Sequence, residues 1–494
     1  MLRIATLLFL LIPLSLMGTG DQCFNWSPLA RQAYQKTIQL RFTEAQSLLD
    51  QLQEEEPSNL IRLHIENYLD FFRVFINEDA EEFERLEKNK DRRLQQLKDC
   101  PADSPWRLYL QADIRLQWAL ARLKFEEYAT AFFEVNKAFK LLEENSRAYP
   151  GFMPNKKDLG ILHAMVGTIP DGYKWAVEWL SSMEGSIAQG RGELEEVIDY
   201  ARQNDFIFEE EAYVFYAYLL LHLDNRDEAA WKVIQESRLN PETNLLACFI
   251  LANVAMRTGR NDKAIDLLQH RPGGRTFHPF PYLDFMLGIA KLQRLDADAG
   301  DYLQRYLDQF SGRNFIKEAH QKLAWSRLLQ GDPAGYRTQM AFCQKEGYTI
   351  VESDKSALEE AQSEEMPNTD LLRARLLFDG GYFDRALQTI QHLSEQTLTG
   401  PRDILEYHYR LGRVYQALGK NDLALSNFQS TIDKGAAQPW YFACRAALET
   451  GRIYEHLGKK EEARTAYERC LSIKPEEHRA GLHQAAKAGL NRIK

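Results

Sequence analysis

The sequence predicts an all-α protein, an α-solenoid of stacked antiparallel helix hairpins. Three observations predict it. Of the 17 prolines, all but Pro13 fall between apolar-periodic segments or at helix starts, where a ring that breaks helix interiors is tolerated. The segments they bound carry apolar residues at helical spacing, as in Tyr407, Leu411, Val414, Tyr415 and Leu418. No segment shows the sustained alternation of a strand. The 494 residues are 45% hydrophobic and 27% charged, a composition that excludes a disordered chain. A net charge of −10 excludes a general nucleic-acid binder, which carries a basic face.

The first segment, residues 1–20, reads as a signal peptide. Arg3 supplies the charge, Ile4 to Met17 is a 14-residue apolar run, and Gly18-Thr19-Gly20 offers small residues for cleavage. A membrane span needs about 20 residues, so the run is short for the alternative, an uncleaved anchor. Gly20-Asp21-Gln22 before Cys23 does not match the pattern of a bacterial lipid anchor. The expected product is an exported protein without a transmembrane segment, periplasmic or envelope-associated in a Gram-negative bacterium. Asn25-Trp26-Ser27, a glycosylation triplet, leaves a eukaryotic secretory origin open.

Residues 21–147 read as helical hairpins, with Thr43-Glu44-Ala45 leading to Pro57 and helix pairs over 61–99 and 106–147. Residues 205–400 read as degenerate copies, placed by Ala229, Ala264 and Ala386, with further hairpins marked by Gly288 and Gly331. Residues 401–494 hold two clear units and a capping helix. In the first unit Leu411, Gly412 and Tyr415 precede a turn at Gly419, then Ala424 and Phe428. In the second, Gly451 and Tyr454 precede Gly458, then Ala463, Tyr467 and Pro475. Small residues at these positions let two helices cross closely, and the aromatics fill the space beside them.

This pattern resembles the tetratricopeptide repeat, whose period is about 34 residues. Here the alanines from 229 to 264, 386 to 424 and 424 to 463 are 35, 38 and 39 residues apart, so the copies have long turns. After the signal peptide, the chain has room for about a dozen hairpins. The resemblance implies a curved stack with a groove that binds other proteins, and no catalytic activity of its own.

Residues 148–204 depart from the repeat. The segment is rich in Gly and Pro, with an expected helix from Lys157 to Val166, a turn over 167–172 and a second helix through Met183. Trp175 and Trp179 lie four apart, on one helix face. With Tyr173 and Met183 they form a candidate apolar partner-binding patch, against the alternative that they are core residues of an atypical hairpin. Ile169-Pro170 followed by Trp175, and Met183-x-Gly185 followed by Gly190, are similar to a segment of the eukaryotic tetratricopeptide proteins linked to clearance of inclusion bodies at the mitochondrial outer membrane. Tyr409 to Gly412 and Leu448 to Tyr454 resemble that family too.

The chain contains no phosphate-binding glycine loop, zinc motif, nucleophile elbow or calcium loop. The 11 histidines are scattered without metal spacing, so no cofactor and no metal is expected. Asp158 and Glu184 are carboxylates near the tryptophans without an evident catalytic partner. Cys248, Cys343, Cys444 and Cys470 read as buried thiols in helices, whereas Cys23 and Cys100, in loop contexts, are open to one bridge. A helix over 476–494 is expected to cap the stack.

The function expected from these features is non-catalytic. The chain should be a scaffold or adaptor that binds a protein or peptide, not nucleic acid, in the cell envelope. Two alternatives are a nutrient- or glycan-binding solenoid and an enzyme with a site near residues 150–190.

Overall fold

The computed structural model describes residues 23–100, 103–166, 183–363 and 365–493. Within them are 24 α-helices and no strand. The N-terminal helices are α1 (Pro28–Ile38), α2 (Phe42–Glu55), α3 (Ile61–Asn77), α4 (Ala80–Asp99), α5 (Pro105–Leu123), α6 (Tyr128–Ala148), α7 (Met153–Val166) and α8 (Ile187–Ala201). The middle of the chain holds α9 (Glu209–Tyr218), α10 (Asp227–Glu236), α11 (Leu245–Arg257), α12 (Asn261–Gln269), α13 (Tyr282–Arg294), α14 (Ala299–Gln309), α15 (Ile316–Leu329) and α16 (Pro333–Lys345). The remainder is α17 (Glu352–Ser363), α18 (Thr369–Asp379), α19 (Phe383–Ile390), α20 (Pro401–Ala417), α21 (Asn421–Gly435), α22 (Phe442–His456), α23 (Lys460–Ser472) and α24 (Arg479–Arg492).

The expected helix boundaries hold where local chemistry fixes them. Pro28, Pro105, Pro333 and Pro401 each open a helix, where their missing N–H costs no hydrogen bond. Ser27, Ser104 and Asp332, just ahead of three of them, accept hydrogen bonds from first-turn amides. Two boundaries differ from expectation. The helix read as starting at Lys157 begins at Met153, because Pro154 fits the first turn. The capping helix begins at Arg479 rather than Glu476, because His478 adopts φ 53° and Glu476 N–H is already bonded to the Pro439 carbonyl.

Sequential helices pair into hairpins, and their first helices also touch: α1 on α3, α3 on α5, α5 on α7, then α11 on α13, α13 on α15, α18 on α20, α20 on α22 and α22 on α24. Helix α17 has no hairpin partner and packs on α15 and α16. One apolar cluster extends from Phe24 to Ala290, and a second fills the C-terminal hairpins from Leu405 to Ile493.

The C-terminal hairpins show why the repeat needs its small residues. A Cβ on Gly412 would lie 2.5 Å from the Phe428 ring, and one on Gly451 2.5 Å from Tyr467. Gly489 of the capping helix also meets the Tyr467 ring, and a Cβ there would again lie 2.5 Å from it. The turns at Gly419 and Gly458 have φ of 72° and 70°, a region that side chains with a Cβ rarely enter. Gly451→Ala is therefore expected to cost about 1–3 kcal/mol through overpacking. The chemical denaturation midpoint checks it, and an unchanged midpoint would show that Tyr467 can yield.

Candidate protein-binding surface

The residues proposed for a docking patch are only partly in view. Tyr173, Trp175 and Trp179 lie outside the described residues. Met183 lies ahead of α8 in non-helical backbone and is 5% exposed within the large apolar cluster, whereas the second helix expected to lead into it falls outside the described residues. Asp158 is buried on α7, whereas Glu184 is exposed.

The N-terminal hairpins are tied to the middle of the chain by contacts that sequence spacing does not reveal. Glu78, at φ 52° and 4% exposed, caps the turn between α3 and α4. Its Oε2 accepts hydrogen bonds from Arg313 N–H at 3.0 Å, Asn314 N–H at 2.8 Å and the Asn314 side-chain amide at 2.8 Å. Its Oε1 meets the Lys124 ammonium at 2.6 Å. One hairpin earlier, His278 N–H donates to the Leu40 carbonyl at 2.7 Å while its ring stacks on Phe42. The loops that enter α13 and α15 thus rest on the turns of the first two hairpins. Farther along, Tyr382 donates to Asp262 at 2.8 Å and Arg385 to the Arg294 carbonyl at 3.0 Å.

Between the N-terminal helices and α9 lies a second polar centre. Lys157 is fully buried, 2.7 Å from Glu211 and 2.8 Å from Asp158. Glu211 also accepts from the hydroxyls of Tyr34 and Tyr68. His64 meets Asp113 at 2.5 Å on the neighbouring helices. Burial opposes the charge on Asp113, but the hydrogen bond and charge of His64, with Lys157 nearby, hold its carboxyl below the usual range. Burial pushes Asp158 up to about 7, Lys157 pulling it down and Asp113 adding to the rise. Lys157 is raised despite its burial, because Asp158, Glu211 and Asp113 surround it. This arrangement ties α1, α3, α5, α7 and α9 together. Among the described residues no group of three His, Cys, Asp or Glu side chains is placed to hold a metal.

The inner helices of the C-terminal part carry a different arrangement. Glu449 on α22 is 2% exposed and faces Arg445 at 2.9 Å, Arg452 at 3.0 Å and Arg413 of α20 at 3.7 Å. Burial alone would raise its pKa, but Arg413, Arg452 and Arg445 together hold it at about 2. One buried carboxylate thus serves three guanidiniums and leaves a surplus of positive charge. The row continues with Arg410, paired to Glu406 at 2.9 Å, and with Arg375 on α18, which lies 3.9 Å from Asp379 with its guanidinium over Trp325. The side chains of Arg452 and Arg375 are 42% and 36% exposed, so their outer edges face solvent. Elsewhere a cleft of about 430 Å³ opens between α12, α13 and α14, with Arg271 and Arg305 sharing Asp284 beside Tyr302.

Sequence reasoning missed these residues. Glu449 follows Leu448 inside a motif whose signal is its small and aromatic positions, and three arginines at i−4, i+3 and on the preceding inner helix become a cluster only once the hairpins stack. Glu78 and Glu211 have no local signal at all, since their partners lie far along the chain.

Stacked hairpins with apposed inner helices define a solenoid of the kind that generally serves as a non-catalytic protein-interaction scaffold. Residues 409–478 match the family model of the tetratricopeptide repeat. No curated protein matches it. Among solved structures it is similar to a chain of Naa15/Naa10 bound to HypK-THB, at 13% identity and a TM-score of 0.22, over 94% of this chain and 66% of that one. It is also similar to a chain of the APC/C hetero-tetramer Cut9-Hcn1, at 12% identity and a TM-score of 0.23, over 96% of this chain and 99% of that one. No helix among the described residues is long and apolar enough to cross a membrane.

Proposed function

We propose that this protein is an exported scaffold of the cell envelope whose C-terminal inner face binds an acidic segment of a partner protein. The observation that carries the binding reading is the arginine row around Glu449. Guanidiniums that share one carboxylate retain unused donors, and a planar fork suits the carboxylates of Asp, Glu or a chain terminus. The N-terminal half supports the same division of labour, because its loops and turns are already engaged with each other. The export reading rests on the order of charge, apolar run and small residues in the first twenty positions.

Fluorescence anisotropy with an Asp/Glu-rich peptide and a Lys-rich peptide of equal length tests the binding reading. The acidic peptide is expected to bind the full chain, weaken as salt rises, and lose about tenfold or more in affinity to Arg413→Glu with Arg452→Glu. Equal binding of both peptides, or no effect of the charge reversals, sinks it. Cell fractionation decides export. The tryptophan patch is a separate proposal from helical spacing: pull-downs from envelope extracts should lose a partner with Trp175→Ala and Trp179→Ala, and an unchanged set removes it.

A further inference from the structure

Four of the six cysteines stand in two facing pairs, one near each end of the chain. On the last hairpin, Cys444 of α22 and Cys470 of α23 are both fully buried, with sulfurs 3.5 Å apart. At the other end, Cys23 ahead of α1 packs against the apolar cluster that holds Cys100 at the end of α4, and burial together with the neighbouring Cys100 thiol pushes the Cys23 thiol up to about 11. The remaining two are solitary. Cys248 gives its hydrogen to the Leu267 carbonyl at 3.3 Å, and Cys343 is buried between α15 and α17, without a cysteine neighbour among the described residues.

We propose that these two pairs are disulfide sites, Cys23–Cys100 and Cys444–Cys470, which lock the terminal hairpins of the solenoid. A disulfide bond is about 2.05 Å long, so the C-terminal sulfurs, 3.5 Å apart, close by about 1.5 Å when the bond forms. The placement has a physical logic. Each hairpin of a solenoid is held by its neighbours, and a terminal one has a neighbour on one side only, so the ends open first. Cys23 lies where the chain joins the first hairpin, its carbonyl accepting from Leu60 N–H at 2.7 Å, and Cys100 closes the second hairpin. Cys444 and Cys470 join the two helices of the last one, beneath the cap at α24, whose Leu482 carbonyl accepts from the Cys470 thiol. Cys248 and Cys343 sit in interior hairpins that are packed on both sides.

The chemistry is thiol–disulfide exchange with an oxidised disulfide donor, either a small-molecule disulfide or a disulfide of an oxidising protein. One thiolate attacks a donor sulfur, forming a mixed disulfide and expelling one donor thiolate. The second cysteine, as thiolate, displaces the other donor sulfur and completes the bridge. For each pair two protons and two electrons leave the cysteines, and the donor ends as two thiols. In the cell the donor follows from the export reading, whereas the pairing itself is read on purified protein.

The test is peptide mapping of the full chain after reduction, equilibration with oxidised and reduced glutathione, and alkylation. The expected product is lighter than the reduced chain by four hydrogens, bridged at the two named pairs, with Cys248 and Cys343 alkylated after unfolding. Cys23→Ala and Cys444→Ala should each remove one bridge and leave the other. Persistent thiols, glutathione adducts in place of bridges, other pairings, or a bridge at one end only would overturn the two-ended lock. Bridges formed in vitro together with a cytoplasmic chain in fractionated cells would instead retire export and leave the pairing standing.

Discussion

Glu78→Ala is expected to cost about 3–5 kcal/mol, the usual effect of removing one member of a buried, hydrogen-bonded ion pair. The magnitude follows from what the carboxylate does. It receives two backbone amides and one side-chain amide from residues 313 and 314, and it neutralises Lys124 on a different hairpin. Alanine leaves the Asn314 donors inside the protein without an acceptor, and a buried donor without a partner costs about 1–3 kcal/mol. Lys124 is 20% exposed and regains water in part, which keeps the total within that range. Glu78→Gln should cost less, since its carbonyl still accepts while the charge on Lys124 goes unmatched. Urea denaturation gives the magnitude. Amide hydrogen exchange gives the mechanism: protection of Arg313 and Asn314 should fall in Glu78→Ala before any global loss. Unchanged protection there would mean that the loop is held by its other contacts, such as Arg313 with Glu126 at 3.2 Å.

The two levels of organisation were unequally legible. A hairpin is a local object, and its markers lie close together along the chain: Pro at the first turn, Gly412 or Gly451 under an aromatic ring, Gly419 or Gly458 at the bend. Those residues specify the repeat through sterics that act within one or two helices, so their spacing can be read directly. The long-range contacts obey no such spacing. Glu78 reaches residues 313 and 314 because the curvature accumulated over the intervening hairpins brings them together, and curvature is a sum of small rotations that no single motif encodes. The same holds for Lys157. In the sequence Lys156-Lys157-Asp158 looks like an ordinary solvated run, yet Lys157 has no exposed surface. A lysine is buried only when its partners are supplied, and the main partner, Glu211, comes from a helix beyond the irregular segment. The arginine row falls between these cases. Arg445 and Arg452 already outnumber Glu449 on α22 itself, but the third guanidinium, Arg413, joins them only where α20 and α22 lie side by side.

Lys157→Met is expected to be the most pH-dependent change in the protein. Methionine fills much of the volume of the lysine stem, so the loss is electrostatic rather than a cavity. It leaves the buried Asp158 and Asp113 and the partly exposed Glu211 near one another with the central cation gone, and His64 still facing Asp113. At pH 8 the cost should reach about 3–5 kcal/mol. The sign of the pH dependence follows from Asp158. An unfolded Asp titrates near about 3.9, and in the folded protein Asp158 already stands at about 7. A carboxyl raised on folding binds its proton more tightly in the native state, so it favours the native state below its unfolded value and loses that contribution as pH climbs to its folded value. Removing Lys157 takes away the attraction that opposes this rise, and the folded value moves higher still. The gap in stability between wild type and variant should therefore be smallest near pH 5, where Asp158 is protonated in the folded state of both, and widen toward pH 8. Lys157 itself adds to the wild-type side of that gap throughout this range, since its own raised value gives up stability only above the ordinary lysine range near about 10.4. Denaturant titrations of both proteins at pH 5, 6.5 and 8 measure the gap. A constant gap would show that the lysine acts through contacts that do not titrate in this range, such as its ammonium over the Phe208 and Phe215 rings, and the charge balance with the titrating carboxyls of α5, α7 and α9 would then not be what holds the first hairpins to the rest of the solenoid.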